Sequence, residues 1–204
     1  MPTSLLCPAY RVVTSRVVLR CWEPADTAAL HRVIAENLEH LRPWVSWIED
    51  EPRSMEERLC IVRSMRAAFD ADESWSYAVI DADDGELAGG FLLRRIETGN
   101  GGDLGGWVAA ARGRRGYQSE AAAAMSRVCL EVMRMERVQA VTAVDNERSI
   151  ALMRKLGFTQ QATDGERQKH ELLWSISADE WTTSYAAELA ADARAYDAIG
   201  TRLF

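Results

Sequence analysis

The chain has 204 residues, of which 48% are hydrophobic and 27% charged, which is enough for one substantial core in a single soluble unit. Its net charge of −7 argues against binding of bulk nucleic acid, which needs many cations spread over a surface. No apolar run approaches the ~20 residues that span a bilayer. Because the four cysteines and three histidines have no metal-type or redox spacing, we expect a cytoplasmic protein without a metal.

The first third of the chain predicts a strand or hairpin followed by two helices. Residues 10–22 cluster β-branched side chains as a partly buried strand does. Helical spacing of apolar residues continues over residues 26–38 and, after a capping-box signature, over residues 54–69. Between the two helices, the proline-bracketed segment 40–52 predicts little regular structure, and its acidic end is expected to be a solvated loop.

The middle of the chain predicts an antiparallel meander. Residues 75–81 and 86–96 are strand-like, and Asp83-Asp84-Gly85 between them is a strong hairpin turn signal. A glycine-rich loop then leads into a third strand at residues 103–111.

The second half of the chain predicts helices alternating with short strands. In chain order these are a helix at 118–134, a strand at 138–144, a helix at 147–156, a strand at 170–177 and an alanine-rich helical tail at 179–196. The whole order predicts an α+β fold, with a single mixed, mainly antiparallel sheet flanked by helices and an extra C-terminal helix.

The turn before the 118–134 helix is the densest basic site of the chain. Arg112, Arg114 and Arg115 lie there among two glycines. A strand that feeds such a turn at a helix N-terminus gathers unpaired N–H groups around one point, which favours an anion. Arginines add bidentate donors suited to phosphate, so a pyrophosphate is the natural guest. On the residues alone, a solvated surface turn remains an equal alternative.

Several stretches together resemble the GNAT acyl-CoA transferase superfamily. Its N-x-x-S helix ending in Leu-Gly-Phe is similar to VDNERSIALMRKLGF, and its strand with the Arg/Gln-x-x-Gly-x-Gly/Ala pyrophosphate loop is similar to DLGGWVAAARGRRGYQSEA. Its RimJ/RimL group, which acetylates protein N-termini and in diverged members other amines, resembles TSRVVLRCWEPAD, HLRPWVSW and ELLWSISADEW. The resemblance predicts a GNAT-like acyltransferase domain over residues 1–181, with residues 182–204 as a helical extension packed on it. That extension could also pair with a second copy in a homodimer.

The resemblance implies an acetyl-CoA-dependent N-acetyltransferase. The acceptor would be a primary amine, either the N-terminal α-amine of a protein or a small metabolite or antibiotic, attacking directly through a tetrahedral intermediate. The alternative is a non-catalytic acyl-CoA sensor, because Met153 stands where many members have the tyrosine that serves the leaving thiolate. A nucleotide site is a third reading, but the turn lacks the phosphate-loop spacing of nucleotide-binding proteins.

The resemblance also assigns the residues that hold coenzyme A. They are Trp107, Val108 and Ala109 of the strand, Arg112, Gly113, Arg114, Arg115, Gly116, Tyr117, Gln118 and Ser119 of the loop, and Asn146 and Ser149 of the next helix. With Gly116 on the middle glycine of the pattern, its Arg/Gln falls on Gly113, so any of the three arginines could contact phosphate. Asn146 would serve equally well as the cap of its helix.

Three residues are candidates for the chemistry. Ser149 would protonate the leaving thiolate, although a first-turn serine also saturates local backbone groups. Asp103 aligns with the acidic residue that acts as a base in several family members, and an aspartate that fixes the preceding loop is an equal alternative. Glu166, in the loop before the last strand, is a further candidate base.

Trp44 and Trp47 are the predicted acceptor residues, together with Arg42 and Phe91. The two tryptophans lie on the proline-bracketed segment, which lines the acceptor site in the resembling fold. A simple hydrophobic clamp over the sheet is the alternative explanation.

Overall fold

The computed structural model describes residues 8–97, 99–162 and 170–204. Its strands are β1 Arg11–Val13, β2 Val17–Cys21, β3 Trp75–Asp81, β4 Leu87–Arg95, β5 Gly101–Val108, β6 Arg137–Ala143, β7 Thr159–Gln161, β8 Glu171–Ser177 and β9 Arg194–Tyr196. Its α-helices are α1 Thr27–Ala35, α2 Leu38–Leu41, α3 Met55–Asp70, α4 Tyr117–Arg127, α5 Glu147–Leu156, α6 Ala178–Trp181 and α7 Tyr185–Leu189.

The strands form one sheet in the order β7-β8-β6-β5-β4-β3-β2-β1-β9. The pair β5–β6 is parallel, and the other neighbouring pairs are antiparallel. The predicted single mixed, mainly antiparallel sheet is therefore confirmed, and so is the meander β3-β4-β5. The short strand β7 has no counterpart among the predicted elements.

Helices cover both faces of the sheet. Alternation along β3 sends Trp75, Tyr77 and Val79 into one core with the alanines of α4, whereas Ala78 joins a second core with α1 and α3. The residues Ala121–Ala124 are buried, and their small side chains let α4 lie close to the sheet. Within the described ranges, no helix is both long and apolar enough to cross a membrane.

The helix α3 begins at the capping box that the sequence predicts. The Ser54 hydroxyl accepts from the N–H of Glu57 at 3.2 Å, and the Glu57 carboxylate accepts from the N–H of Ser54 at 2.7 Å. The acidic run before this helix was expected to be solvated, and this was wrong for Glu51, which is buried in an ion pair with Arg58 of α3.

The C-terminal tail differs from the single helix that was predicted over residues 179–196. Only the short helices α6 and α7 form, and Arg194–Tyr196 instead pairs antiparallel with β1 as the edge strand β9. Alanine content favours a helix locally, but the open edge of β1 supplies main-chain partners that only the folded sheet presents. Helix α7 packs against α4 and α5, so the chain itself covers the apolar face that suggested a homodimer.

Candidate active site

The parallel strands β5 and β6 separate halfway along their length. They pair from Gly101 to Leu104 on β5, where Leu104 lies opposite Ala140. Beyond that point residues 105–108 remain paired with β4, while residues 141–143 remain paired with β8. The two strands therefore diverge and leave a cleft in the middle of the sheet. A cavity of about 1010 Å³ occupies this cleft and is lined by both diverging segments.

The diverging part of β5 presents main-chain donors to the cleft. The N–H of Ala109 donates to the carbonyl oxygen of Ala88 on the β4 side, at 2.9 Å. Because main-chain groups alternate between the two edges of a strand, the N–H groups of Gly106 and Val108 face the opposite edge, where β6 has moved away. The cleft thus has polar groups that can bind an extended, amide-rich chain.

The turn between β5 and α4 forms a cradle of unpaired N–H groups. In the described part of the chain, the main-chain N–H groups of residues 114–119 have no hydrogen-bond partner, whereas those of Arg112, Gly113 and Glu120 donate to carbonyl oxygens. Arg114 and Gly116 adopt left-handed conformations, with φ of 63° and 81°. Such a turn at a helix N-terminus concentrates partial positive charge and suits an anion.

The β3–β4 hairpin holds this cradle from one side. The Tyr117 hydroxyl donates to Oδ2 of Asp81 at 2.5 Å, and Nη1 of Arg112 lies 2.5 Å from the same oxygen. Arg112 also donates to Asp84, at 2.7 Å. Asp81 is buried, and the hydrogen bond from Tyr117 holds the pKa of its carboxyl below the usual value. Asp81 therefore stays ionised and fixes the first turn of α4.

The β1–β2 turn holds the cradle from the other side through Glu120. This buried carboxylate accepts hydrogen bonds from the Thr14 hydroxyl at 2.5 Å, the Ser15 hydroxyl at 2.9 Å and the N–H of Arg16 at 3.0 Å. The Arg16 side chain in turn donates to the carbonyl oxygen of Arg115 at 3.3 Å. Sequence reasoning missed this role of Glu120, because its partners lie between 104 and 106 residues earlier in the chain.

The three arginines of the turn differ in their carboxylate partners and in whether they line the cavity. Arg112 is engaged with the β3–β4 hairpin, and Nη1 of Arg115 lies 3.8 Å from Asp81. Arg114 lines the cavity and has no ion-pair partner among the described residues. Of these three arginines, Arg114 alone both lines the cavity and has no carboxylate partner among the described residues.

Helix α5 brings its predicted residues to the cavity. The Asn146 side chain accepts from the N–H of Ser149 at 3.1 Å, so Asn146 caps the helix, and both residues line the cavity. Met153 lies one turn further along, buried beneath the cleft.

Of the two candidate bases, Asp103 is the one among the described residues, and it does not reach the cavity. Asp103 lies on β5 below the point of divergence, and its carboxylate is paired with Arg94 at 2.7 Å. It is absent from the residues that line the cavity. Glu166 lies outside the described residues.

The far end of the cavity is aromatic. Trp44 and Trp47 line it and are partly exposed, and the ring of Trp47 meets that of Trp107 edge to face, with centroids 6.1 Å apart. Of the other two predicted acceptor residues, Arg42 does not line the cavity and lies 3.8 Å from Glu39. Phe91 lines the cavity, but it belongs to the core that contains α4 and not to the aromatic end with the tryptophans.

A buried ion pair lines the same aromatic end of the cavity. Glu51 and Arg58 are paired there, and the Glu51 carboxylate also accepts from the N–H of Arg53 at 3.0 Å. Composition gave no sign of this pair, since Arg58 belongs to an otherwise ordinary amphipathic helix. The pair places fixed charge next to the aromatic surface of Trp44 and Trp47.

The chain belongs to the acetyltransferase (GNAT) family, whose domain matches residues 16–159. It is thus an acetyl-CoA-dependent N-acetyltransferase, as the resemblance implied, and the cleft and the N–H cradle are compatible with that cosubstrate.

Relatives with related names cover most of the chain. A Bacillus subtilis protein named as a ribosomal N-acetyltransferase, YdaF, is 27% identical over 83% of this chain and 95% of its own length. The [ribosomal protein uS5]-alanine N-acetyltransferase of Escherichia coli is 25% identical over 86% of this chain and 94% of its own length. Among solved structures, RimJ of Mycobacterium smegmatis in complex with CoA-disulfide is 26% identical, with a TM-score of 0.68 over 86% of this chain and 88% of that one. The predicted RimJ/RimL-like grouping is therefore confirmed.

Proposed function

We propose that this enzyme acetylates the N-terminal α-amine of a protein. The observation that carries the proposal is the continuous cavity, which joins the N–H cradle of α4 to a wide, partly exposed aromatic end beside Trp44 and Trp47. A protein N-terminus can enter such an open end, because only its first residues need to reach the cleft. The names of the relatives, which refer to ribosomal-protein acetylation, support the same acceptor class and make a ribosomal protein the first candidate.

The cradle and the cleft would each bind a different part of the cosubstrate. The N–H groups of residues 114–119 and the guanidinium of Arg114 would hold the pyrophosphate. The N–H groups of Gly106 and Val108 would bind the pantetheine arm and polarise the thioester carbonyl. Acetyl-CoA itself supplies the activated acetyl group.

The chemistry asks for alignment more than for a strong base. An α-amine has a pKa of about 8, so a useful fraction is neutral near physiological pH. Its nitrogen attacks the thioester carbonyl carbon, the carbon–sulfur bond breaks, and the amine releases its proton to solvent. The Ser149 hydroxyl would protonate the leaving sulfur and recover a proton from water. Fixed positions for amine and carbonyl supply most of the rate gain.

The test is acetyl transfer to matched peptides. A peptide with a free α-amine and an internal lysine is compared with its Nα-blocked twin and with small amines such as a polyamine and an aminoglycoside. Mass spectrometry should find one acetyl group on the α-amine of the free peptide and none on the twin. Acetylation of lysine or of a small amine alone would refute the acceptor class. Binding of acetyl-CoA without release of CoA across the panel would favour the sensor alternative.

A further inference from the structure

The side chain of Gln118 lies between α4 and the diverging part of β5. It packs against Gly106, where an added Cβ atom would lie 2.8 Å from Oε1 and 3.2 Å from Nε2 of Gln118. The missing side chain at Gly106 thus makes the space that Gln118 occupies. Gly106 lies two residues beyond Leu104, the last residue of β5 that pairs with β6.

Gln118 stands at the junction of two cavities. Besides the large one, it lines a smaller chamber of about 100 Å³ at the base of the cleft. Phe91 and Met153 give this chamber apolar walls, and Thr142 and Ser149 add two hydroxyl groups. A primary amide there carries a desolvation cost that a hydrocarbon side chain would not.

The amide nitrogen of Gln118 is buried, and no group of the described residues accepts a hydrogen bond from it. A buried amide that stays unpaired destabilises the free protein, and it is relieved when a ligand brings an acceptor atom. The terminal torsion of glutamine is broad, so the amide can turn toward such an atom without leaving its rotamer.

We propose that the side-chain amide of Gln118 donates a hydrogen bond to a carbonyl oxygen of the acyl-CoA arm where that arm passes between β5 and β6. The inference rests on the proposed use of the cleft. Within the arm, the carbonyl oxygens belong to the pantetheine amides and to the thioester, and both are hydrogen-bond acceptors. Gln118 is thus assigned a role for its side chain beyond that of its main-chain N–H in the cradle.

The substitution Gln118→Met tests this, because methionine has a similar length and no donor. Calorimetry should show acetyl-CoA binding weakened by about tenfold, the equivalent of one hydrogen bond. The thermal midpoint of the free protein should rise by about 2–4 °C, because an unpaired buried amide has been removed. A residue that only fills space would leave the affinity unchanged. The matched control is Gln160→Met, since Gln160 is exposed on β7 and lines neither cavity.

Two further comparisons complete the test. If Gln118→Met weakens CoA and acetyl-CoA equally, the acceptor is a pantetheine amide, and if only acetyl-CoA is weakened it is the thioester. Gln118→Glu removes the donor but keeps an acceptor, so it should bind at least as weakly as the methionine variant. Wild-type affinity in either variant would overturn the inference while leaving the proposed function intact. Failure of the wild-type protein to bind acetyl-CoA would overturn the use of the cleft itself.

Discussion

The cradle before α4 can be tested at Gly116. This residue is the N-cap of α4 and has a φ of 81°, a left-handed conformation that costs an alanine about 1–2 kcal/mol. A Cβ atom there would also lie 2.4 Å from Nη1 of Arg16. That guanidinium can move away, but it then gives up its contact with the carbonyl oxygen of Arg115. Gly116→Ala therefore disturbs both the main chain of the cradle and the Arg16 contact that supports it.

Two measurements should change together in Gly116→Ala. The thermal midpoint should fall by about 2–8 °C, as expected for a loss of about 1–2 kcal/mol in a protein of this size. Acetyl-CoA affinity should fall about tenfold to a hundredfold, because one misdirected N–H forfeits a charge-assisted hydrogen bond of about 1.5–3 kcal/mol. Isothermal titration calorimetry with acetyl-CoA gives the second quantity directly.

Gly200→Ala is the matched control. Gly200 has a φ of 84°, and an added Cβ would meet no atom of the described residues within 4 Å. It lies in the C-terminal tail, so its alanine variant should lose similar stability and keep wild-type affinity. The reasoning is refuted if Gly116→Ala binds acetyl-CoA as tightly as Gly200→Ala does.

Three further predictions concern the same site. Arg114→Ala should weaken acetyl-CoA binding by about tenfold in calorimetry. Arg112→Ala should mainly lower the free energy of unfolding. The reverse pattern would contradict our assignment of the arginines. Ser149→Ala should lower turnover about a hundredfold at unchanged acetyl-CoA affinity, and unchanged turnover would remove Ser149 from the mechanism. Asp81→Asn should cost about 2 kcal/mol of unfolding free energy at about pH 7. Because the folded-state pKa of Asp81 is lowered, that cost should shrink as the pH falls below about 4, which denaturant unfolding at both pH values can check.

Much of the fold follows from signals that act over a few residues. Helix α5 begins and ends where the sequence predicts, because Asn146 caps its start and Gly157 ends it with a φ of 88°. The β3–β4 hairpin forms at its predicted turn for the same reason, since Gly85 adopts the positive φ of 73° that the turn requires. The location of the anion cradle is equally local, because a glycine-containing turn before a helix exposes N–H groups wherever it occurs.

The parts that sequence reasoning did not reach depend on contacts between distant segments. Arg112 is withdrawn from the cavity because the sheet register brings Asp81 and Asp84 beneath it, and the sequence offered no means to choose among the three arginines. Glu51 becomes buried only because α3 presents Arg58 to it.

Local composition thus determined where α5, the meander and the cradle lie, since their caps and turns are satisfied within a few residues. Tertiary structure alone decided that Arg194–Tyr196 of the tail pairs as a strand with β1 and that Arg114 lines the cavity. It also decided that the amide nitrogen of Gln118 is buried without a partner among the described residues. The physical reason is that hydrogen-bond satisfaction and charge pairing depend on which distant groups the folded sheet brings together, and no local pattern encodes that.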